Sequence, residues 1–195
     1  MLLSYIVVFF FVHVLCSFPI SSSSFFCTSY APFLHHNAIL FLMRGRFSFS
    51  IQSKYPHMKP ADVHLWEKFV RSNTGLFDSV EYDFHVGHPP DWMDPERDEF
   101  AAKEVKLYQK KIDVLGFSQG LIWIIEVKPR AGSSALGQVL SYRKLFLDEH
   151  PNPDILRLAI ITNECQSNYC DIFETFHVRC FHMGICSQCS HYASI

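Results

Sequence analysis

Three residues near the middle of the chain have the types and spacing to do chemistry: Asp113, Glu126 and Lys128. Glu126 and Lys128 are two apart in an extended run, so on a strand their side chains leave the same face. They stand at the exit end of Leu121–Val127 (LIWIIEV), whose length and apolar continuity predict a central strand covered on both faces. Charge at the end of such a strand needs an explanation, because taking it out of water is costly unless it is paired or bound to metal. Asp113 lies on the preceding predicted strand, across a turn at Ser118-Gln119-Gly120, and antiparallel pairing brings it close to Glu126. Two carboxylates beside the Val127 carbonyl form an oxygen-rich set suited to Mg²⁺ (or Mn²⁺), which takes few protein ligands. A cation there binds a phosphate oxygen and acidifies a water, while Lys128 orients that water or stabilises charge in the transition state. Hydrolysis of a phosphodiester is the reaction class that fits these groups without a Ser, Cys or His nucleophile. The plain alternative is a surface salt bridge between Glu126 and Lys128 at a strand end.

The elements that must position these residues begin near Met58. Pro60, Ala61 and Asp62 predict a helix start with Asp62 as the cap, followed by Val63, Trp66, Phe69 and Val70 at helical spacing and a stop at Asn73-Thr74-Gly75. Ser79–Val86 alternates apolar and polar residues, as a half-buried strand does. Tandem prolines make residues 87–94 a loop. Val105, Leu107, Ile112 and Val114 alternate within residues 103–117, which predicts a second strand with Lys106, Lys110 and Lys111 on its charged face. After the Leu121–Val127 strand, which Pro129 stops, Ser133 or Ser134 can cap a helix running to about Asp148 with Leu136, Val139, Leu140, Phe146 and Leu147 as its stripe. A buried strand at 155–162, a short helix at 171–176 and a strand at 177–182 follow. The first three strands can form a meander joined by short turns, and the next returns across a helix.

Asp113, a dozen intervening residues and Glu126-Val127-Lys128 resemble the D…(D/E)xK signature of the PD-(D/E)XK nuclease superfamily. Gln138-Val139-Leu140-Ser141-Tyr142 resembles the Q-x-x-x-Y motif of its RecB-like exonuclease branch. The resemblance covers roughly residues 58 to 183. It implies an α/β, restriction-endonuclease-like αβββαβ core, with a central mixed sheet flanked by helices. It also implies Mg²⁺- or Mn²⁺-dependent cleavage of nucleic acid, with DNA expected ahead of RNA, Asp113 and Glu126 as metal ligands and Lys128 as the catalytic lysine. Gln138 and Tyr142 would position the nucleic-acid backbone or the site, and Glu67 matches the acidic residue that many members add from the first helix. Lys111-Ile112-Asp113 stands where other members have Pro-Asp. The branch often carries iron–sulfur cysteines flanking the core, whereas Cys180, Cys186 and Cys189 are C-terminal only.

Composition divides the 195-residue chain unevenly. No Asp or Glu precedes Asp62, and Arg44 is the first Lys or Arg. Residues 1–15 are apolar apart from Ser4 and His13, and a Ser-rich stretch follows. A signal or membrane anchor, an organellar targeting peptide and an upstream extension outside the folded protein are the competing readings of residues 1–57. The extension is preferred, which leaves a nuclease-like domain at 58–184 and an irregular tail at 185–195. Membrane is not an expected partner unless the apolar run is a real anchor. The seven cysteines are odd in number and absent from residues 58–161, which points to a reducing compartment, and a cytoplasmic location is expected. His35-His36 and the group His177, Cys180, His182, Cys186, Cys189 and His191 invite a zinc reading, yet only Cys186-x-x-Cys189 has half-site spacing.

A formal charge of −2 lends no global support to nucleic-acid binding, so the basic surface must be local. Arg130, Arg143 and Lys144 are the expected phosphate contacts. A homodimer mate or a larger complex could supply further surface. Two rivals stay open: a catalytically silent nucleic-acid-binding or assembly module on the same fold, and an anchored or secreted protein whose carboxylates are structural.

Overall fold

The computed structural model describes residues 44–90, 92–93 and 99–184. Expectations for residues 1–43 and 185–195, including the apolar run, His35, His36, Cys186, Cys189 and His191, lie outside the described residues. Helix α1 (Pro60–Ser72) opens on Pro60, whose missing N–H is no loss in a first turn. Lys59 rather than Asp62 takes the cap position, and no side chain caps the helix. Asp62 sits inside the first turn instead, where its negative charge suits the helix N-terminus. Strand β1 (Ser79–Val86), helix α2 (Glu99–Tyr108), strand β2 (Lys110–Ser118) and strand β3 (Leu121–Val127) follow. Gln119 and Gly120 both have positive φ, +51° and +77°, the backbone that closes a two-residue hairpin between right-twisted strands.

Two short strands, β4 (Arg130–Ala131) and β6 (Glu164–Cys165), pair in parallel beside the main sheet. Between them come helix α3 (Ser133–Glu149), a 3₁₀ turn (Pro153–Ile155) and strand β5 (Leu156–Thr162). Gly132 holds the cap position of α3, so neither serine does. Helix α4 (Tyr169–Thr175) and strand β7 (Val178–His182) complete the described elements.

The main sheet has the order β1-β2-β3-β5-β7, antiparallel across β1-β2-β3 and parallel across β3-β5-β7. Helices cover both faces, and the strands sort their side chains accordingly. Ile122, Ile124 and Ile160 pack with Ala135, Val139, Tyr142 and Phe146 of α3 and Phe173 of α4. Ile125, Val127, Ala159 and Ile161 pack with Leu65, Trp66, Phe69 and Val70 of α1. The molecule is therefore an α/β fold with a five-stranded mixed sheet flanked by helices.

Two expectations are corrected. The segment 103–117 is not one strand: α2 occupies its first part and β2 begins only at Lys110. Val105 is buried but Leu107 is exposed, so the alternation there was accidental, and Ala, Lys, Glu and Leu favour a helix. Lys106 thus belongs to α2, while Lys111 Nζ lies 3.4 Å from His57 Nε2 and 3.9 Å from Asp83. The β1–β2 connection consequently contains a helix rather than a short turn. The folded unit also starts before Met58. Phe47 exchanges backbone hydrogen bonds with Val80, and Arg46 pairs with Glu81. Phe49 sets its ring against Trp66, Phe69 and Phe77, and Tyr55 is buried against Tyr82. A Cβ on Gly45 would meet the Val80 backbone at 2.2 Å, so this close approach requires glycine.

Candidate active site

The site forms where β2 and β3 part. Their pairing reaches Val114↔Ile125 and then stops. Beyond it, the Asp113 carboxylate replaces a backbone partner: Oδ2 accepts the Val127 N–H at 2.9 Å. This bond holds Asp113 beside the exit end of β3.

Glu126 is held by its neighbours on both sides. Parallel pairing with Ile160 of β5 fixes its backbone, and Lys128 N–H donates to the Ile161 carbonyl at 2.9 Å. Its side chain is fully buried. Lys128 Nζ donates to Oε1 at 3.2 Å, whereas Oε2 is buried with no hydrogen-bond partner. No protein donor reaches that oxygen, and Asp113 is close enough to share a hydrogen bond with Glu126 when one of the two acids holds a proton. Burial first, and the negative Asp113 second, push the Glu126 carboxyl up to about 8. Asp113 is raised as well, chiefly by burial, against the pull of the Val127 N–H and the Lys128 charge. Burial opposes the charged form of Lys128, but Glu126 and Asp113 outweigh it and raise this amine overall. Two acids and one ammonium therefore share a poorly solvated space, with one negative charge more than the protein itself balances when both acids ionise.

The opposite sides of this space come from the two helices. On α3, Gln138 Nε2 donates to the Tyr142 hydroxyl at 3.1 Å, as their i, i+4 spacing allows. Burial raises the Tyr142 phenol to about 12, with Glu126 and Asp113 adding to the shift. On α1, the charge that reaches the site belongs to Asp62, which acts on both Asp113 and Lys128. Glu67, half-buried on the same helix, accepts from Arg71 at 3.0 Å. The sequence signal for Asp62 was its place one turn before the buried Trp66, which puts it on the sheet-facing side.

The structure thus brings together Asp113, Glu126, Lys128, Gln138 and Tyr142. The three expected phosphate contacts are all solvent-exposed. Arg130 Nε lies 3.9 Å from Glu164 with both side chains exposed. Lys144 bonds Asp148 at 2.5 Å, and its place two residues beyond Tyr142 turns it to the far side of α3. Arg143 is exposed on the same helix. Among the described residues, no helix is long and apolar enough to cross a membrane. No family model, curated protein or solved structure matches the chain.

Proposed function

We propose that the chain is a metal-dependent nuclease of the PD-(D/E)XK, restriction-endonuclease-like kind, hydrolysing DNA phosphodiester bonds with Mg²⁺ or Mn²⁺. The observation that carries this reading is the buried, unpartnered Oε2 of Glu126 beside a second carboxylate. A structural salt bridge needs no second acid in the same dry space, and burying one destabilises the fold. An all-oxygen donor set with surplus negative charge is instead what a hard divalent cation requires.

Asp113 and Glu126 would hold the cation through their remaining oxygens. When bound, the metal supplies charge neutralisation at the phosphate and acidifies a water to make the nucleophile. Lys128 keeps its proton and sits against Glu126, where its ammonium can orient the attacking water and offset charge building on the phosphate oxygens. Gln138 and Tyr142 form a hydrogen-bonded pair whose spare donor and acceptor capacity can engage a backbone phosphate or brace the carboxylates. Asp62 adds negative charge from α1 and would strengthen the hold on a cation.

The test is cleavage of labelled DNA by the full chain with Mg²⁺ or Mn²⁺, compared with EDTA and with Glu126→Gln. Activity is expected with either metal and in neither control. Lys128→Met is expected to slow cleavage about 10²- to 10³-fold, the usual loss when one charge-stabilising donor is removed. Undiminished cleavage in Glu126→Gln would sink the site. DNA binding without cleavage in the wild type would favour the silent module.

A further inference from the structure

A second cluster of ligating side chains lies away from the carboxylates, at the β7 edge of the sheet. Cys180 and His182 are two apart on β7, so they leave the same face of that strand. Cys165 comes from β6 and Cys170 from the second residue of α4. Cys165 Sγ lies 3.6 Å from Cys180 Sγ, and His182 Nε2 lies 3.4 Å from each of these sulfurs and 3.8 Å from Cys170 Sγ. The ligating atoms of Cys165, Cys170 and His182 all fall within 4.8 Å of one another.

We propose that Cys165, Cys170, Cys180 and His182 form a structural zinc site that clasps β6, α4 and β7. Four of the six separations are close to the edges of a tetrahedron, and Cys180, outside the trio that falls within 4.8 Å, closes on Cys170 as the ion binds. With Zn–S near 2.3 Å and Zn–N near 2.0–2.1 Å, those edges are about 3.8 Å between sulfurs and about 3.5 Å from sulfur to nitrogen. The four measured separations straddle these values. Cys165 and Cys180 carry thiols, while Cys170 takes part in a disulfide. A thiol reductant opens that bond with two electrons and two protons, leaves as its own disulfide, and so releases the sulfur that completes a Cys₃His set. Ligation then displaces the three thiol protons to solvent as Zn²⁺ binds.

The placement explains what such a site would do. Among the described residues β7 is an edge strand paired with β5 alone in the main sheet, and β6 has two residues. One ion bonded to β6, α4 and β7 ties these weakly held pieces together, in the way that metal crosslinks secure small peripheral units. The site is independent of the carboxylate pair and of the reaction proposed for it.

The experiment is metal analysis of the full chain purified under a phosphine reductant without chelator, followed by cobalt substitution. About one zinc per chain is expected, with a thiolate-to-cobalt charge-transfer band and tetrahedral visible bands after exchange. Zinc content should persist in Glu126→Gln, which removes only a carboxylate ligand, and fall in Cys180→Ser and His182→Ala. Because either variant could unfold, the cobalt spectrum of the wild type stands as the second measurement. Absence of the charge-transfer band, zinc unchanged in both variants, or iron with inorganic sulfide in its place would overturn the proposal. So would a Cys165–Cys180 disulfide that persists under the reductant.

Discussion

Replacing Glu126 with Gln separates the two readings of the buried acid by sign. In the metal-free fold the Glu126 carboxyl is pushed from an ordinary 4.5 to about 8, by burial and by Asp113. An acid whose pKa rises on folding keeps its proton in the native state while the unfolded chain has released it. Wild-type stability from this group therefore falls as pH rises from about 4.5 to about 8. At pH 7 the unfolded chain is favoured by roughly 2.5 pK units, an upper bound of about 3 kcal/mol at 1.36 kcal/mol per unit. Gln fills the same space without that penalty and its amide oxygen can still accept from Lys128, though the 3.2 Å contact is no longer ionic. That weakening offsets part of the gain, so the variant should be about 1–3 kcal/mol more stable than wild type at pH 7. The assay is urea unfolding of both chains in EDTA across pH 4 to 9. The gap should vanish below about pH 4.5 and level off above about pH 8. Saturating Mg²⁺ should then stabilise only the wild type and shrink or reverse the gap. A variant that is less stable at every pH by a constant amount would refute the reasoning. It would show that Glu126 serves as a salt-bridge partner of Lys128 and little else.

Two further outcomes follow from the packing. A chain beginning at Met58 should be markedly less stable than one beginning at Arg44, and Phe49→Ala alone should cost about 2–3 kcal/mol by chemical unfolding, since this ring meets Trp66, Phe69 and Phe77. Equal stability of the long and short chains would show that residues 44–57 are dispensable. Asp62→Asn should weaken Mn²⁺ binding several-fold by calorimetry, while Glu67→Gln, already paired with Arg71, should leave it within about twofold. The reverse ranking would return the helix acid to Glu67.

Much of the architecture was legible from local pattern. LIWIIEV, a run apolar but for Glu126 and stopped by Pro129, has the length and continuity of a central strand, and the structure places it in the middle of the sheet. The alternation of Ser79–Val86 and the Gln119-Gly120 turn were equally local. Residues 103–109 misled because two apolar residues in alternation satisfy a strand by accident, and only the burial of Val105 without Leu107 exposes the helix. Residues 44–57 show no period at all. Their rings are held by aromatic partners distant in sequence, a contact that no local pattern records.

By itself the sequence determined which residues could do chemistry at the end of β3, since Glu126 and Lys128 must share a face once the strand exists. It also determined that Gln138 and Tyr142 would meet, because four residues make one helical turn. Tertiary structure alone decided the rest. The parting of β2 from β3 lets Asp113 take the Val127 N–H, the packing of α1 brings the charge of Asp62 to bear on Asp113 and Lys128, and burial leaves Glu126 Oε2 without a protein donor. The Cys/His cluster belongs to the same class, since three elements separated along the chain supply its atoms. Proximity of that kind arises from closure of the fold, which adjacent residues do not encode.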